Sequence, residues 1–250
     1  MKNKILKKIL GIMGYKLIEK KLFKNDRLIS TKSYLTLNRL LKNLFEEKKI
    51  NFLIQIGAND GSRFDILNNY IKTYKIKSLL VEPIKEIFEK LKKNYEDYNF
   101  ISFENSAISV NNEITYLYKV DPEYLDNYDD HIPGITSFEK KHLLNHDVKK
   151  SHIVTEKINS VSMENLIAKY NIDNFDLLCV DTEGYDGNIV NDFLKNILIR
   201  PIIILEYIHI NNDTFKTLIN NLEQKKYNFF SIDENLICFP EKDIKYIKFN

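Results

Sequence analysis

A chain of 250 residues, 44% hydrophobic and 29% charged, can bury a large core, and one domain plus an N-terminal extension is its natural organisation. No apolar run is long enough for a membrane span. With 37 basic against 35 acidic residues the net charge is only +2, which argues against nucleic-acid binding as the main business.

Met1 to about Lys24 spaces Ile5, Leu6, Ile9, Leu10, Ile12 and Met13 near helical intervals, with Lys2, Lys4, Lys7 and Lys8 among them. A basic amphipathic helix of this kind can rest on an anionic membrane surface or pack on the domain with its lysines in water. Charges interrupt every apolar stretch and no small-residue cleavage site follows, so it is no secretory signal. A cytoplasmic chain is expected, with peripheral contact at the inner membrane face as the alternative. A second helix is predicted over Thr31 to Lys48, its apolar face formed by Tyr34, Leu35, Leu37, Leu40, Leu41 and Leu44. Residues 1–48 thus read as a helical extension, ahead of a domain over 49–250.

Phe52 to Ile56 is too short for a helix and runs into Gly57-Ala58-Asn59-Asp60-Gly61. This pattern predicts a buried parallel strand ending in a tight turn, where glycine lets a ligand approach the backbone. A helix over Arg63 to Tyr74 would aim its free N–H groups at the same spot. The turn lacks the middle glycine of the dinucleotide fingerprint G-x-G-x-x-G, so a ligand without pyrophosphate fits better than NAD or FAD.

The next strand, Ser78 to Val81, ends at Glu82-Pro83, followed by a helix over Ile84 to Tyr95 and a strand over Asn99 to Phe103. Steady alternation of strand and helix predicts βαβ units and a parallel sheet. The pattern breaks from Asn112 to Lys150, where Glu113 to Val120 reads as an edge strand. Asp121 to His146 reads as a long insertion with turns at Asp121-Pro122 and Pro133-Gly134. Long irregular segments in compact domains tend to be lids or binding loops, and this one is the candidate cover for the substrate.

Order resumes with a strand over Ile153 to Ile158 and a helix over Met163 to Tyr170. The strand Phe175 to Val180 ends at Asp181-Thr182-Glu183-Gly184-Tyr185-Asp186, and a helix follows to about Leu198. The strand Ile202 to Leu205 ends at Glu206-Tyr207, and a helix over Thr214 to Gln224 leads to Asn228–Ile232 and Asn235–Phe239, predicted as an antiparallel pair. Cys179 and Cys238 lie in apolar runs and read as small core hydrophobes, not as a disulfide or metal site.

Asn59-Asp60, Glu82, Asp181-Thr182-Glu183 and Glu206 all stand at strand ends, along the edge where open α/β sheets bind ligands. Glu82 is placed about twenty residues after the glycine turn, where a carboxylate accepts hydrogen bonds from ribose hydroxyls. Taken together, Ile56–Gly61, Val81-Glu82-Pro83, Val180–Asp186 and Leu205-Glu206 resemble the class I S-adenosylmethionine-dependent methyltransferases. Within that class the chain is similar to the FkbM family, over roughly Asn51 to His209.

The resemblance implies an α/β fold with a Rossmann-like, mostly parallel sheet of seven strands, helices on both faces and a C-terminal antiparallel hairpin. It implies S-adenosylmethionine as cofactor, its amino-acid end cradled by Gly57, Ala58, Asn59, Asp60 and Gly61. Glu82, with Pro83, would hold the ribose, Ser106 and Ala107 would flank the adenine, and Asp181 would sit near the methionine part or the acceptor. Gln55 departs from the family, which usually carries an acid there; an amide keeps a hydrogen bond but loses the charge that favours the cofactor's ammonium. Asp60 or Asp181 could compensate.

Transfer to an alcohol needs a general base, for which the candidates are Asp181, Glu183, Glu206, His209 and His131. No metal is expected, although Asp181, Glu183 and Asp186 offer oxygen ligands. The family resemblance suggests O-methylation of a hydroxyl on a saccharide or secondary metabolite. Gln55 keeps open a second class, a binding protein on a methyltransferase scaffold, and NAD binding would revive an oxidoreductase.

Overall fold

The computed structural model describes residues 36–47, 50–62, 65–110, 115–128, 136–138 and 140–246. The basic segment 1–24, the first residues of the predicted second helix, His131 and the Pro133-Gly134 turn lie outside the described residues. Residues from Leu37 onward form one compact unit.

This unit begins with α1 (Leu37–Glu46), which buries Leu40, Leu41, Leu44 and Phe45 and stacks Phe45 on Tyr70 at 4.9 Å between ring centres. Then come β1 (Phe52–Ile56), α2 (Asn68–Tyr74), β2 (Lys77–Val81), α3 (Lys85–Asn94), β3 (Ile101–Glu104) and the short β4 (Ala107–Ile108). β5 (Thr115–Val120), β6 (Thr136–Ser137), α4 (Lys140–Asn145) and β7 (Ile153–Ile158) belong to the insertion, which β8 (Ser160–Val161) closes. The chain finishes with α5 (Met163–Lys169), β9 (Leu177–Val180), α6 (Asp186–Asn196), β10 (Ile202–Glu206), α7 (Asn212–Gln224), β11 (Tyr227–Ile232) and β12 (Asn235–Pro240).

Seven strands form the main sheet in the order β11-β12-β10-β9-β1-β2-β3. The five from β3 to β10 are parallel, and β12 and β11 add an antiparallel edge. This is an α/β Rossmann-like architecture with the expected C-terminal hairpin. Ile54, Leu178 and Ile203 on one face join Leu166, Ile189, Phe193 and Leu218 from α5, α6 and α7 in one apolar cluster. Leu53, Leu80, Cys179 and Ile204, which alternate to the other face, are buried as well, which is why these strands read as continuous apolar runs.

Side-chain hydrogen bonds explain where two of the helices start. α2 begins at Asn68, not Arg63, because Asp65 Oδ1 accepts the N–H of Leu67 at 2.8 Å and holds a local turn in place of a helical one. α7 begins two residues earlier than predicted, because Asn211 caps it by accepting the N–H of Thr214 at 2.9 Å.

The described part of the insertion holds more regular structure than its sequence suggests. β5 is not an edge strand: it is the centre of a three-stranded antiparallel sheet, β6-β5-β7, with Tyr118 opposite Thr155 on one side and Ser137 on the other. Val120, Leu143, Val148 and Ile153 give this sheet its own small core. β4 and β8 pair in parallel, Ala107 with Ser160 and Ile108 with Val161, where the insertion leaves and rejoins the domain.

Candidate functional site

Parallel strands point their C-terminal ends the same way, so β1, β2, β9 and β10 deliver their terminal residues to one edge. A cavity of about 980 Å³ opens there. Its floor is Gln55 to Asp60, Glu82, Pro83, Ser106, Ala107, Asp181, Glu206 and His209, and its other wall is the insertion, through Leu117, Leu125, Phe138 and His146. Of the cofactor and catalytic residues read from sequence that the structure describes, Gly61 alone is not part of this lining. It sits behind the turn, where a side chain would meet Leu91 at 2.5 Å and Tyr95 at 2.6 Å, so its service is to packing.

The turn after β1 is drawn tightly onto the sheet. Gly57 and Ala58 both donate their N–H to the carbonyl of Val81 at 3.0 Å, and Asn59 adopts left-handed backbone (φ 49°). Glu82 completes the frame, Oε2 accepting the N–H of Asn59 at 3.1 Å and Oε1 that of Ile84 at 2.9 Å. Asn105 donates to the carbonyls of Glu82 and Pro83 and binds the end of β2 to the loop after β3. The Asp60 carboxylate turns to Ser62, accepting from its N–H and its hydroxyl at 2.9 Å, and does not stand in for the missing charge at Gln55.

Asp65 does so. Gln55 Nε2 donates to Asp65 Oδ1 at 3.0 Å, so a carboxylate stands beside the amide. Sequence reasoning missed it because Asp65 was assigned to a helix; the signal was an Asx turn two residues before an apolar run.

The cavity concentrates buried acid. Burial pushes the Glu82 carboxyl up to about 7 against its two hydrogen bonds. Burial, reinforced by Glu183, raises Asp181 to about 7, and burial with Asp181 nearby raises Glu206 to about 9. Asp186 is pushed up to about 8, chiefly by burial, while its oxygens accept the N–H groups of Thr182 and Gly184 and the Thr182 hydroxyl, each at 3.1 Å. Asp186 therefore shapes the turn after β9. Gln55 Oε1, Asp65 Oδ2 and Glu206 Oε2 are buried with no hydrogen-bond partner, and all three residues line this cavity.

A carboxyl whose folded pKa is raised binds its proton more tightly in the folded state. Its contribution is complete below the unfolded value, 4.5 for Glu82, and is lost as pH rises through about 7. The protein without ligand should therefore lose stability relative to Glu82→Gln by up to about 1.4 kcal/mol per pH unit between about pH 5 and about pH 7. Urea denaturation of both proteins across that range measures it; a constant difference would show that Glu82 does not titrate there.

Comparison with known proteins agrees with the geometry. Residues 55–229 match the model of the methyltransferase FkbM domain. Among solved structures, the methyltransferase FkbM from Methylobacillus flagellatus KT is 13% identical with a TM-score of 0.44, covering 76% of this chain and 44% of that one. The METTL16 MTase domain is 11% identical at a TM-score of 0.44, covering 82% of this chain. The ribosomal protein L11 methylase from Lactobacillus delbrueckii subsp. bulgaricus is 10% identical at 0.37, covering 80% and 74%. The chain spans 66% and 65% of the length of the two METTL16 structures it matches. No curated protein matches the chain.

Proposed function

Because the chain belongs to the FkbM methyltransferase family, we propose that it methylates a hydroxyl group, of a saccharide first or else of a secondary metabolite, with S-adenosylmethionine as methyl donor. The observation that carries this reading is the acid-rich cavity at the strand ends, with three buried oxygens lacking donors. A ligand bringing a sulfonium, an ammonium and two ribose hydroxyls answers both needs, since each buried acceptor left unpaired costs about 1–3 kcal/mol.

The cofactor supplies a methyl carbon already activated for in-line displacement. The chain's task is alignment and exclusion of water. Glu82 would accept the ribose hydroxyls, the Gly57–Asp60 turn would back the amino-acid end, and Ser106 and Ala107 would flank the adenine. Gln55 and Asp65 would receive the ammonium. The acceptor hydroxyl must lose its proton; Asp181 and His209 line the cavity to take it, while Glu206, raised to about 9, holds its own proton near neutrality and serves as a donor instead. Leu117, Leu125 and Phe138 of the insertion close the acceptor side with apolar surface. No helix among the described residues is long and apolar enough to cross a membrane; peripheral contact through the basic segment 1–24 is part of the proposal for a membrane-borne saccharide acceptor.

Calorimetric titration with S-adenosylmethionine, S-adenosylhomocysteine and NAD tests the reading. Micromolar binding of the first two and none of the third is expected, followed by methyl transfer to a hydroxylated saccharide. Binding without transfer to any hydroxylated acceptor would favour the scaffold alternative, and silence from folded protein would refute the cofactor site. Asp65→Asn, which keeps shape and removes charge, is expected to weaken S-adenosylhomocysteine binding roughly tenfold, the worth of one charged hydrogen bond. An unchanged Kd would remove Asp65 from the ammonium site.

A further inference from the structure

Beside the cofactor floor, four donor side chains converge from three separate segments. His142 in α4 and His146 just past its end come from the insertion, Glu183 from the turn after β9, and His209 from the segment after β10. One ligand atom of each lies within 4.8 Å of every other. His142 Nε2 stands 2.8 Å from Glu183 Oε2, and the His142 ring centre lies 4.8 Å from that of His146 and 4.6 Å from that of His209.

Packing alone gives no reason to gather three imidazoles and a carboxylate here, because desolvating polar groups costs free energy that apolar rings would not. Glu183 is also held in left-handed backbone (φ 55°), a conformation that costs a non-glycine residue and recurs where a side chain must be aimed. Asp186 buttresses that turn from below, and Ser137 of β6 donates its hydroxyl to the Glu183 carbonyl at 3.0 Å.

We propose that His142, His146, Glu183 and His209 bind one divalent transition-metal ion of the zinc class, in a closed four-coordinate site that ties the insertion to the ends of β9 and β10. A tetrahedral ion with bonds of about 2.0–2.1 Å sets its ligand atoms about 3.3 Å apart. The widest pair must therefore close by about 1.5 Å, within the reach of side-chain rotation. Three imidazole nitrogens favour zinc, cobalt, nickel or copper over magnesium and calcium, which take oxygen ligands. Four protein donors leave no open position, so the ion holds structure and does no chemistry. His209 is then committed to the ion, and the acceptor's proton falls to Asp181. The sequence signal was H-x-x-x-H in the insertion; its partners lie 37 and 63 residues beyond the second histidine and meet only in the fold.

The test uses the full chain without an affinity tag, stripped by a chelator and titrated with zinc(II) and cobalt(II). One equivalent of each should bind, cobalt should give the visible absorption of a four-coordinate ion, and zinc should raise the melting temperature. Magnesium and calcium should not bind here. The double variant His142→Gln, His146→Gln should lose zinc affinity about tenfold or more while its near-UV dichroism stays native. Should it not fold, Glu183→Gln, which keeps size and a hydrogen-bonding group beside His142, takes its place with the same expected loss. No stoichiometric zinc binding by folded wild type, or equal affinity in a folded variant, overturns the proposal. Neither outcome bears on the cofactor site, which the S-adenosylhomocysteine titration reads separately.

Discussion

Gly57→Ala is expected to cost about 3–5 kcal/mol of stability, the scale reserved for severe local disruption, and to abolish measurable S-adenosylhomocysteine binding. An alanine Cβ at this position would lie 1.7 Å from the carbonyl oxygen of Asp181 and 2.8 Å from its carbon, and these are backbone atoms that cannot rotate away. Asp181 is fixed in turn, since its N–H donates to the Ile56 carbonyl at 3.0 Å and Ile56 is paired with Val180. Relief therefore means parting β1 from β9 at the site itself. The φ of +79° adds strain of its own. Gly184→Ala is the control: at φ +105° it is strained, yet its nearest neighbour is 3.5 Å away, so about 1–2 kcal/mol is expected. Urea denaturation of both variants with calorimetry on the folded protein decides. Equal costs would mean that strain rather than collision governs Gly57.

Glu82→Ala should weaken S-adenosylhomocysteine binding by about a hundredfold or more, with a smaller effect on folding. Two hydrogen bonds from ribose hydroxyls to one carboxylate are worth about 1.5–3 kcal/mol each. Losing both removes about 3–6 kcal/mol of affinity, though the frame suffers too, because Asn59 and Ile84 lose the acceptor for their N–H groups. Glu82→Gln separates the two effects. It keeps the volume and one of the two acceptor oxygens, so one backbone N–H loses its partner rather than two; its melting temperature should fall less than that of Glu82→Ala while its Kd still rises about tenfold. Wild-type affinity in either variant would move the ribose elsewhere in the cavity.

The main sheet was legible because its strands are buried on both faces and read as apolar runs, each ending in a glycine or an acid. Gly57-Ala58-Asn59-Asp60-Gly61, Glu82-Pro83 and Asp181 to Asp186 could be set on one edge from strand direction alone. Other features were hidden by distance along the chain. Nothing near Thr115 announces that Tyr116 pairs with Lys157, so β5 looked like an edge. Asp65 meets Gln55 only in the fold, ten residues on along the chain. The histidine cluster is still less local, with partners on the insertion and on two strand ends. Asp186 shows the opposite limit: its spacing from Asp181 and Glu183 suggested shared ligation, while burial and backbone hydrogen bonds bind it to its own turn.

The two-stranded pair of β4 and β8 has a consequence for how such a protein can change. It stitches Ala107–Ile108 to Ser160–Val161, so the segment between them starts and ends at neighbouring points. A segment clamped at its base carries little loop-closure cost for its length, and this one brings its own core of Val120, Leu143, Val148 and Ile153. It still leans on the domain, through Leu117 and Ile158 against Ile84 and through His142 against Glu183. A different sequence between the same two stitches would redraw the roof of the cavity, while Gly57, Glu82 and Asp65, which lie outside the segment, keep their own hydrogen bonds at the strand ends.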